Sequence, residues 1–529
     1  MMKTIQFADM NRQEIEAYAL KKSLENEELN LELAYYKELV KSKQIRAFCA
    51  QSEKTDPNQL SLFNEAEAQA DETLAEPKAE RVCPTRKKKS KGKKDKLTRS
   101  LPKQTIVYDL TAEAAKCPVC AAPLHQMSRR IHKEIEWIPG KAIIKEHVQL
   151  VYSCRNCEKN GLSVPIQTAP MPTPLRRGSL LSPSLGAYVC VRKYENRDPL
   201  NKIASDLQRE RIDLSKQTLC NWVLHLGNTT LKPLYERLHA HLLGMDLLHG
   251  DETTVQVLRE EGRSAQQKSY MWVLRSGREQ IPIVVYHYAP SRSASVLQEL
   301  VKGFQGYLQS DGYAAYGTLG EAVIPVGCLA HVRRYYWDAK AAMPKEGSGM
   351  ELAQKGIHFC NELFGMERER FKLTLEAQGA YKEEKMRAVF EAFFAWAETS
   401  LELCPAKGLL RKALKYTLNQ KKSLLNYLKD PRLELSNNAA ERAIKPFVLG
   451  RKNWMFCDVP RGAQASAMIY SLMQTALENG LLPMAYFEYL FDQLRRIDVS
   501  DPDALDRLLP WSKSLPSNCY PRTDTTDLT

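Results

Sequence analysis

The order of strand-like and helix-like segments between residues 245 and 330 constrains the fold more than any other feature of the sequence. Three apolar runs with strand periodicity follow one another, in MDLLHGDETTVQVL, SYMWVLRS and IPIVVYHY. A helix, the strand GYLQSD, a further helix and the strand AVIPVGC come next. Three successive strands followed by alternating helix and strand predict a mixed α/β domain.

Helical patterns surround this region. Residues 329–428 and 436–495 have helical periodicity over most of their length, and the last fifteen or so residues are expected to be disordered. Residues 11–45 contain no Gly or Pro, so a long N-terminal helix is predicted. In that helix an a/d pattern is formed by Leu29, Leu33, Tyr36 and Val40. The pattern fits a short coiled coil between two copies of the chain, or a helix packed on its own domain.

Composition and charge narrow the classes of function. Apolar residues make up 43% of the 529 residues and charged residues 26%, which is the balance of a globular protein. No apolar run reaches the ~18 residues of a membrane span. The N-terminal residues lack the apolar core of a secretion signal, so we expect a cytoplasmic, nucleoid-associated protein with no membrane partner. The net charge of +13 favours a polyanionic partner.

Residues 81–100 form a strongly basic block with ten basic residues and one acid. Such a block repels itself and cannot bury a core, so it is expected to be a flexible tether. It is either a solvated linker or an arm that lies along phosphates.

Thirteen cysteines without an export signal predict reduced thiols, and closely paired cysteines are then candidate metal ligands. Two CxxC pairs, Cys117 with Cys120 and Cys154 with Cys157, flank a strand-rich segment. Four thiolates satisfy tetrahedral zinc and could fold a module too small to be stable alone. The sequence predicts one structural zinc ion here; redox-active CxxC pairs are the alternative.

Three short helices are predicted between residues 183 and 226, and the last two could form a helix-turn-helix. Ser215 and Asp213 are both candidate N-caps for the third helix. A bundle of three helices that does not touch DNA is the alternative. We expect three side chains of this helix to face a DNA groove, those of Lys216, Gln217 and Asn221. We expect three others to face inward, those of Leu219, Trp222 and Val223.

Three acidic residues have a context that suits metal binding. Asp251 and Asp311 are each expected to end an apolar strand, and Gly312 is expected to free the backbone to turn. Glu441 lies on a predicted helix behind the candidate capping residues Ser436 and Asn437. Carboxylates at the rim of a sheet can bind hard cations such as magnesium. The adjacent acid, Glu252, is expected to point to the opposite face of the strand and to be structural.

Two further groups accompany these acids. Cys328 and His331 form a CxxH motif that either supports the core near Asp311 or is simply a packed cysteine and a hydrogen-bonding histidine. Basic residues also surround Glu441, with Trp454 among them. Expected to contact DNA are Arg442, Lys445, Arg451 and Lys452.

The chain resembles the large transposase of the insertion sequence 66 family, a DDE transposase with a ribonuclease H-like core. The resemblance depends on HGDETTVQVL, YLQSDGYAAY, VGCLAHVRRYYWDA and LSNNAAERAIKPFVLGRKNWMF, which occur in this order. It implies that Asp251, Asp311 and Glu441 are the catalytic triad and bind two magnesium or manganese ions. It also implies two kinds of partner. One is DNA, both the terminal repeats of the element and the target DNA, and the other is a set of small accessory proteins encoded by the same element.

The implied function is a DNA transposase that cuts the ends of its insertion sequence and joins them to target DNA. Pairing two ends makes a homodimer or larger assembly the expected active form. A ribonuclease H-like nuclease or resolvase and a non-catalytic, transposase-derived repressor are the alternatives.

The sequence thus predicts a multidomain α/β protein whose ribonuclease H-like core is interrupted by an all-α insertion. The predicted divisions are an N-terminal helix (1–50), a basic linker (51–105), a zinc module (106–170), a helical DNA-binding domain (175–235), the catalytic core (240–344 and 431–480), the insertion (345–430), and a C-terminal helix and tail (481–529).

Overall fold

The computed structural model describes residues 12–48, 151–153, 166–168, 173–343 and 348–521. The chain divides into two compact units, Met1–Glu76 with Pro174–Pro521, and Pro77–Thr173 with Arg522–Thr529. In the described part of the second unit, strands β1 (Val151–Ser153) and β2 (Ile166–Thr168) pair antiparallel. The four cysteines of the predicted zinc site lie outside the described residues.

One five-stranded sheet lies at the centre of the described part of the first unit. Its strands are β3 (Leu247–Gln256), β4 (Lys268–Ser276), β5 (Val284–Ala289), β6 (Gly306–Gln309) and β7 (Val323–Val326). They lie in the order β5-β4-β3-β6-β7. The first three run antiparallel to one another, whereas β6 is parallel to β3 and β7 is parallel to β6. The predicted mixed α/β fold is confirmed.

Helices precede, interrupt and follow this sheet. Before β3 come α1 (Arg12–Phe48), α2 (Pro183–Cys190), α3 (Leu200–Arg209), α4 (Lys216–His225) and α5 (Lys232–Leu243). Within and directly after the sheet come α6 (Ala294–Leu300), a 3-10 turn (Ala314–Thr318) and α7 (Leu329–Ala342). The turn stands where the sequence predicts a longer helix.

The predicted insertion is helical where it is described. It comprises α8 (Ser348–Arg370), α9 (Leu375–Tyr381), α10 (Arg387–Leu403), α11 (Leu409–Asn419) and α12 (Lys421–Asn426). After it come α13 (Asn438–Trp454), α14 (Pro460–Glu478), α15 (Pro483–Leu494) and α16 (Pro502–Asp506).

Two hydrophobic cores hold the first unit together. The first joins strands β3, β4 and β5 to helices that precede and follow the sheet, through side chains such as Trp272, Tyr286 and Phe447. The helices α2 and α4 belong to this core, through Val189 and Leu219 among others, so they are packed with the sheet.

The second core belongs mainly to the insertion. It joins α7 and the insertion helices to Leu247 and Val326 of the sheet, and Tyr336, Phe390 and Phe393 are fully buried in it. The insertion therefore buries apolar area against the sheet through α7, which stabilises both.

The helix α1 packs on the first unit with a face other than the predicted a/d stripe. Tyr35 and Leu39 pack against the second core, and the Glu38 carboxylate accepts a hydrogen bond of 3.1 Å from the backbone N–H of Leu409. The a/d stripe stays more than half exposed, at Leu29, Leu33, Tyr36 and Val40. The helix thus packs on its own domain, which is one of the two alternatives. This packing leaves the a/d stripe exposed for contact with a second copy of the chain.

The expectation of disorder over the last fifteen residues is wrong for the described part. Leu515 and Cys519 are buried, and the Cys519 carbonyl accepts a hydrogen bond of 2.7 Å from the N–H of Leu482. The segment looks polar because only a few of its residues reach the core. Residues 522–529 lie outside the described residues.

Candidate active site

The register of β3 against β6 brings the two predicted aspartates together. The last pair of this parallel ladder is His249 with Gln309. Asp251, which is still in β3, and Asp311, which lies just past the end of β6, each follow that pair by two residues, and paired strands lie ~4.8 Å apart. The two carboxylates therefore leave neighbouring chains at the same level of the sheet.

The prediction that Asp251 ends a strand is wrong. The strand β3 continues to Gln256, and it pairs with β4 from Leu248 to that residue. Only the ladder to β6 stops earlier, after His249. Asp251 is thus fixed on one side by a continuous antiparallel pairing, which makes its backbone more rigid than that of a residue at a strand end.

The third acid reaches the sheet through Asn437, at the start of α13. The Asn437 side-chain amide donates a hydrogen bond of 2.7 Å to the Gly250 carbonyl, and its Oδ1 lies 3.2 Å from the His249 ring. Its own carbonyl accepts the N–H of Glu441 at 3.2 Å, in the first turn of the helix. Asn437 therefore joins the start of the helix to β3 instead of capping the helix with its side chain, as the sequence predicts.

The three carboxylates act on one another electrostatically. Burial raises the pKa of Asp251 well above its usual value, and the charges of Glu252, Glu441 and Asp311 raise it further. Burial also raises the pKa of Glu441; Arg334 opposes this rise and Asp311 adds to it. The Glu441 Oε2 atom is buried and has no hydrogen-bond partner among the described residues. A cation would relieve this repulsion and satisfy the free oxygen.

The carboxylates do not form a closed metal cage. Among the described residues, no group of three or more His, Cys, Asp or Glu side chains is arranged to hold a metal ion. The donor set still suits magnesium or manganese, because hard divalent cations prefer carboxylate oxygens.

Arg292 is a residue of this site that the sequence analysis does not identify. Its guanidinium pairs with Glu252, lies 3.5 Å from Oδ2 of Asp311, and stacks 3.6 Å from the centre of the Tyr313 ring. The Tyr316 hydroxyl also donates to Glu252, at 2.8 Å. Glu252 is thus held by structural contacts, and Arg292 joins it to Asp311. An arginine in a serine-rich loop gives no sequence signal for such a role.

The CxxH residues lie beside the third acid. The Cys328 Sγ accepts the N–H of Asn437 at 3.2 Å, and the His331 Nε2 lies 3.9 Å from Oε1 of Glu441. Burial and the charge of Arg334 lower the pKa of His331 to about 4, so the ring is neutral at pH 7. Burial raises the pKa of Cys328 to about 12, so this residue is a thiol. The pair supports the start of α13 and the Glu441 side chain.

Gly312 has a different role from the predicted one. Its φ is not positive, and a Cβ atom at this position would lie 2.4 Å from the Tyr416 hydroxyl. Glycine is required here because the ring of Tyr416 packs directly against the backbone that follows Asp311.

The predicted helix-turn-helix residues are on the surface of α4. Ser215, the residue before the helix, accepts the N–H of Thr218 at 3.1 Å, which confirms one of the two candidate caps. The residues expected to face DNA are exposed, namely Lys216, Gln217 and Asn221, and those expected to face inward are buried, namely Leu219, Trp222 and Val223.

The basic residues near Glu441 differ in their surroundings. Arg442 and Lys452 are exposed and Lys445 is half-buried. Arg451 is half-buried and donates to the hydroxyls of Thr253 and Thr254 on β3, at 3.3 Å each. Arg451 therefore packs α13 on the sheet, whereas the exposed residues are free to reach a phosphate.

Comparison with known proteins identifies the family. Residues 178–465, more than half of the chain, match the model described as "Transposase IS66 family". The chain belongs to the insertion sequence 66 (IS66) transposase family. Membership of this DDE transposase family implies a nucleotidyl-transfer enzyme that acts on DNA.

Two further matches lie in the N-terminal part. Residues 115–158, which include all four cysteines of the CxxC pairs, match the "zinc-finger binding domain of transposase IS66". Residues 35–106 match "Transposase C of IS166 homeodomain". Transposase, zinc-finger and DNA-binding assignments are thus shown for the chain.

Proteins of Sinorhizobium fredii (strain NBRC 101917 / NGR234) are similar over most of their length. The "Uncharacterized protein y4hP" is 28% identical over 411 residues, which cover 75% of this chain and 73% of that protein. The "Uncharacterized protein y4jD" is 29% identical over 429 residues, covering 78% and 81%. Within the ranges that the structure describes, no helix is long and apolar enough to cross a membrane.

Proposed function

We propose that the protein binds the ends of its insertion sequence, cleaves them and transfers the cut strands to target DNA. Asp251, Asp311 and Glu441 are the proposed catalytic residues, and they bind two magnesium or manganese ions. The observation that supports this most is their convergence: two follow the same register pair of one ladder, and the third lies on a helix joined to β3, with a free buried oxygen.

The sheet supports a ribonuclease H-like core. Three antiparallel strands are followed by two parallel ones, and the central strand β3 carries the first acid. The helical insertion lies between the second and third acids. We propose the domain divisions given by the sequence, with the helices α2 to α4 as a DNA-binding surface that shares the core of the sheet.

In the proposed mechanism a water oxygen attacks phosphorus at the end of the element, the bond to the 3′ oxygen breaks, and a 3′-hydroxyl remains. That hydroxyl then attacks phosphorus in the target strand, a new phosphodiester bond forms, and the bond to the target's own 3′ oxygen breaks, which leaves a 3′-hydroxyl on the target. The two divalent ions, when bound, would activate the attacking oxygen and stabilise the leaving one. Asp251 supplies oxygens from a rigid strand, Arg292 orients Asp311, and Asn437 sets the position of Glu441.

The other partners are also proposals. The four cysteines Cys117, Cys120, Cys154 and Cys157 bind one structural zinc ion. DNA contacts are made by Lys216, Gln217, Asn221, Arg442, Lys445, Arg451 and Lys452, and Arg451 also packs α13 on β3. The exposed a/d stripe of α1 joins two copies in a synaptic complex, to which small accessory proteins of the element contribute.

A strand-transfer assay tests the function. The purified protein is incubated with a donor plasmid carrying both ends of its element, target DNA and magnesium or manganese. Wild type yields joined product, and Asp251→Asn yields neither cleavage nor joining. Cleavage without joining would favour a nuclease or resolvase. Binding of the ends with no strand chemistry in wild type would favour a repressor.

A further inference from the structure

A groove next to the candidate active site has the chemistry of a nucleotide-binding surface. It has a volume of about 530 Å³ and lies between α1, α7 and α11. Helix α11 contributes Lys412, Lys415 and Tyr416 to its lining, α7 contributes Tyr335, and α1 contributes Tyr35. Lysines and tyrosines thus line the same groove.

The lysines of this groove are available to a ligand. Lys412 and Lys415 are exposed, and neither forms a salt bridge with another described residue. The acid on the opposite wall, Glu32, is already paired, with its Oε1 at 2.6 Å from Nζ of Lys407. Lys412 and Lys415 therefore carry positive charges that no described acid pairs with. Arg411, whose guanidinium donates to the carbonyls of Leu401 and Cys404, adds a third positive charge to the lining.

The aromatic rings lie beside these charges. The ring centres of Tyr335 and Tyr416 are 4.4 Å apart, and the Lys412 ammonium lies 5.5 Å from the centre of Tyr335. Proteins that bind single-stranded nucleic acid combine basic side chains for the phosphates with aromatic rings on which bases stack.

Tyr416 connects the groove to the carboxylates. Its hydroxyl and ring pack so closely on Gly312 that a Cβ atom there would meet them at 2.4 to 2.7 Å. Gly312 directly follows Asp311, so a strand that leaves the proposed scissile phosphate has the groove within reach.

We propose that this groove binds unpaired nucleotides of the DNA strand adjoining the cleaved phosphodiester. The bases lie against Tyr335 and Tyr416, and the phosphates lie against Lys412 and Lys415. The volume is that of a small-molecule site, too small for a duplex, which is why the occupant is unpaired. This inference rests on the proposed function, because the cleaved phosphodiester lies near the groove only if Asp311 belongs to the catalytic site.

The test compares charge reversal in the groove with charge reversal elsewhere. The full chain carries K412E with K415E, and the control carries K302E with K372E, at lysines that are exposed and paired with Glu299 and Glu369. The probes are a labelled 20-nucleotide oligothymidylate and a 20-base-pair duplex, titrated at several salt concentrations.

The groove variant is expected to bind oligothymidylate at least about tenfold more weakly than wild type. The slope of its log binding constant against log salt concentration should become about 1.4 less steep, because each single-strand phosphate contact contributes ~0.7 to that slope. Its duplex binding should match the control. Equal losses for both probes, or a slope equal to the control's, would overturn the inference.

Photocross-linking supplies a second, independent readout. A forked oligonucleotide with 5-iododeoxyuridine in its unpaired arm is irradiated with the protein and the linked peptides are mapped. Peptides containing Tyr335 or Tyr416 are expected, and Tyr416→Leu should reduce the yield more than Tyr416→Phe. Cross-links elsewhere only would contradict the groove. Retained cleavage by Asp251→Asn would instead remove the proposed function, whatever the oligonucleotide binds.

Discussion

Two clusters of buried charge in the first unit differ in how they are compensated. In the insertion, Arg370 donates to Glu367 at 2.8 Å and to the carbonyl of Pro431 at 2.6 Å. Lys382 donates to three carbonyls, those of Tyr427, Asp430 and Leu433, at 2.8 to 3.0 Å. Each of these buried side chains thus has hydrogen-bond partners, as a structural network requires.

The carboxylates of the candidate active site show the opposite arrangement. Asp251, Asp311 and Glu441 repel one another, and a buried oxygen of Glu441 has no partner among the described residues. Buried charge that is fully paired stabilises one arrangement of the chain. Buried charge of one sign, which nearby cations such as Arg292 and Arg334 offset only in part, is compensated further when a cationic ligand binds. The comparison therefore separates scaffold from site.

The two clusters are linked through the segment before α13. The Glu367 carboxylate accepts the N–H of Leu435 at 3.1 Å, and the Leu435 carbonyl accepts the N–H of Leu329 at 2.7 Å. Asn437, which joins the helix to β3, follows two residues later. The compensated cluster thus positions the helix that carries the third acid of the uncompensated one.

Removal of one acid from the uncompensated cluster should have the largest effect on function. Asp251→Asn and Glu441→Gln are expected to lower the cleavage rate by on the order of 10³-fold or more, since loss of a group that stabilises the transition state costs this much. Thermal unfolding should stay unchanged or rise, because repulsion is relieved. Glu299→Gln, at an exposed glutamate, is the control. If the Asp251 and Glu441 variants lost stability but still cleaved DNA, these acids would be structural and not catalytic.

Removal of one partner from the compensated cluster should affect stability most. Arg370→Met leaves Glu367 buried without its cation, and we expect a loss of about 3–5 kcal/mol in the free energy of unfolding. Chemical denaturation of the full chain measures it. The control is Lys372→Met, at an exposed lysine just beyond the end of α8, which should change the free energy of unfolding by less than ~0.5 kcal/mol. Equal effects of the two substitutions would show that the network is not structural.

Magnesium should stabilise the protein only through the cluster of Asp251, Asp311 and Glu441. At about 100 times the dissociation constant, a ligand of the folded state stabilises it by about 2.7 kcal/mol. We expect a rise of the melting temperature with magnesium for wild type and for Arg370→Met, but not for Asp251→Asn with Glu441→Gln. A rise in the double carboxylate variant would place the metal elsewhere.

The smallest expected effect, counted per pH unit, is a pH dependence of stability from Lys382. Burial lowers the pKa of this lysine to about 6, whereas the unfolded chain keeps the usual value of 10.5. Between these values the unfolded state binds more protons, so stability rises with pH, by at most about 1.4 kcal/mol per unit. Lys382→Met should remove this slope between pH 7 and 9. Parallel curves for both proteins would show that Lys382 stays protonated, through its three carbonyl acceptors.

The sequence predicts the elements of the fold better than their junctions. The strand periodicity identifies all five described strands of the sheet, and the Ser215 cap and the inward face of α4 follow from local chemistry. Local patterns suffice in these cases because each depends on neighbours within one turn or one strand.

Long-range register is what the sequence does not reveal. The position of Asp251 inside β3 depends on how far the partner β4 pairs with that strand, and the pairing of Arg292 with Glu252 spans 40 residues. The place of Gly312 depends on Tyr416, more than a hundred residues away. Such features require the packed structure, because the side chains that decide them are distant in the chain.

The separation of the acids along the chain has a consequence for synthesis on the ribosome. Glu441 follows Asp311 by 130 residues, and the predicted insertion (345–430) accounts for about two thirds of them. At ~5–20 residues per second, a nascent chain spends roughly ten seconds with two acids made and the third absent. In the proposed mechanism, a truncated or half-made polypeptide therefore cannot nick the genome of its host.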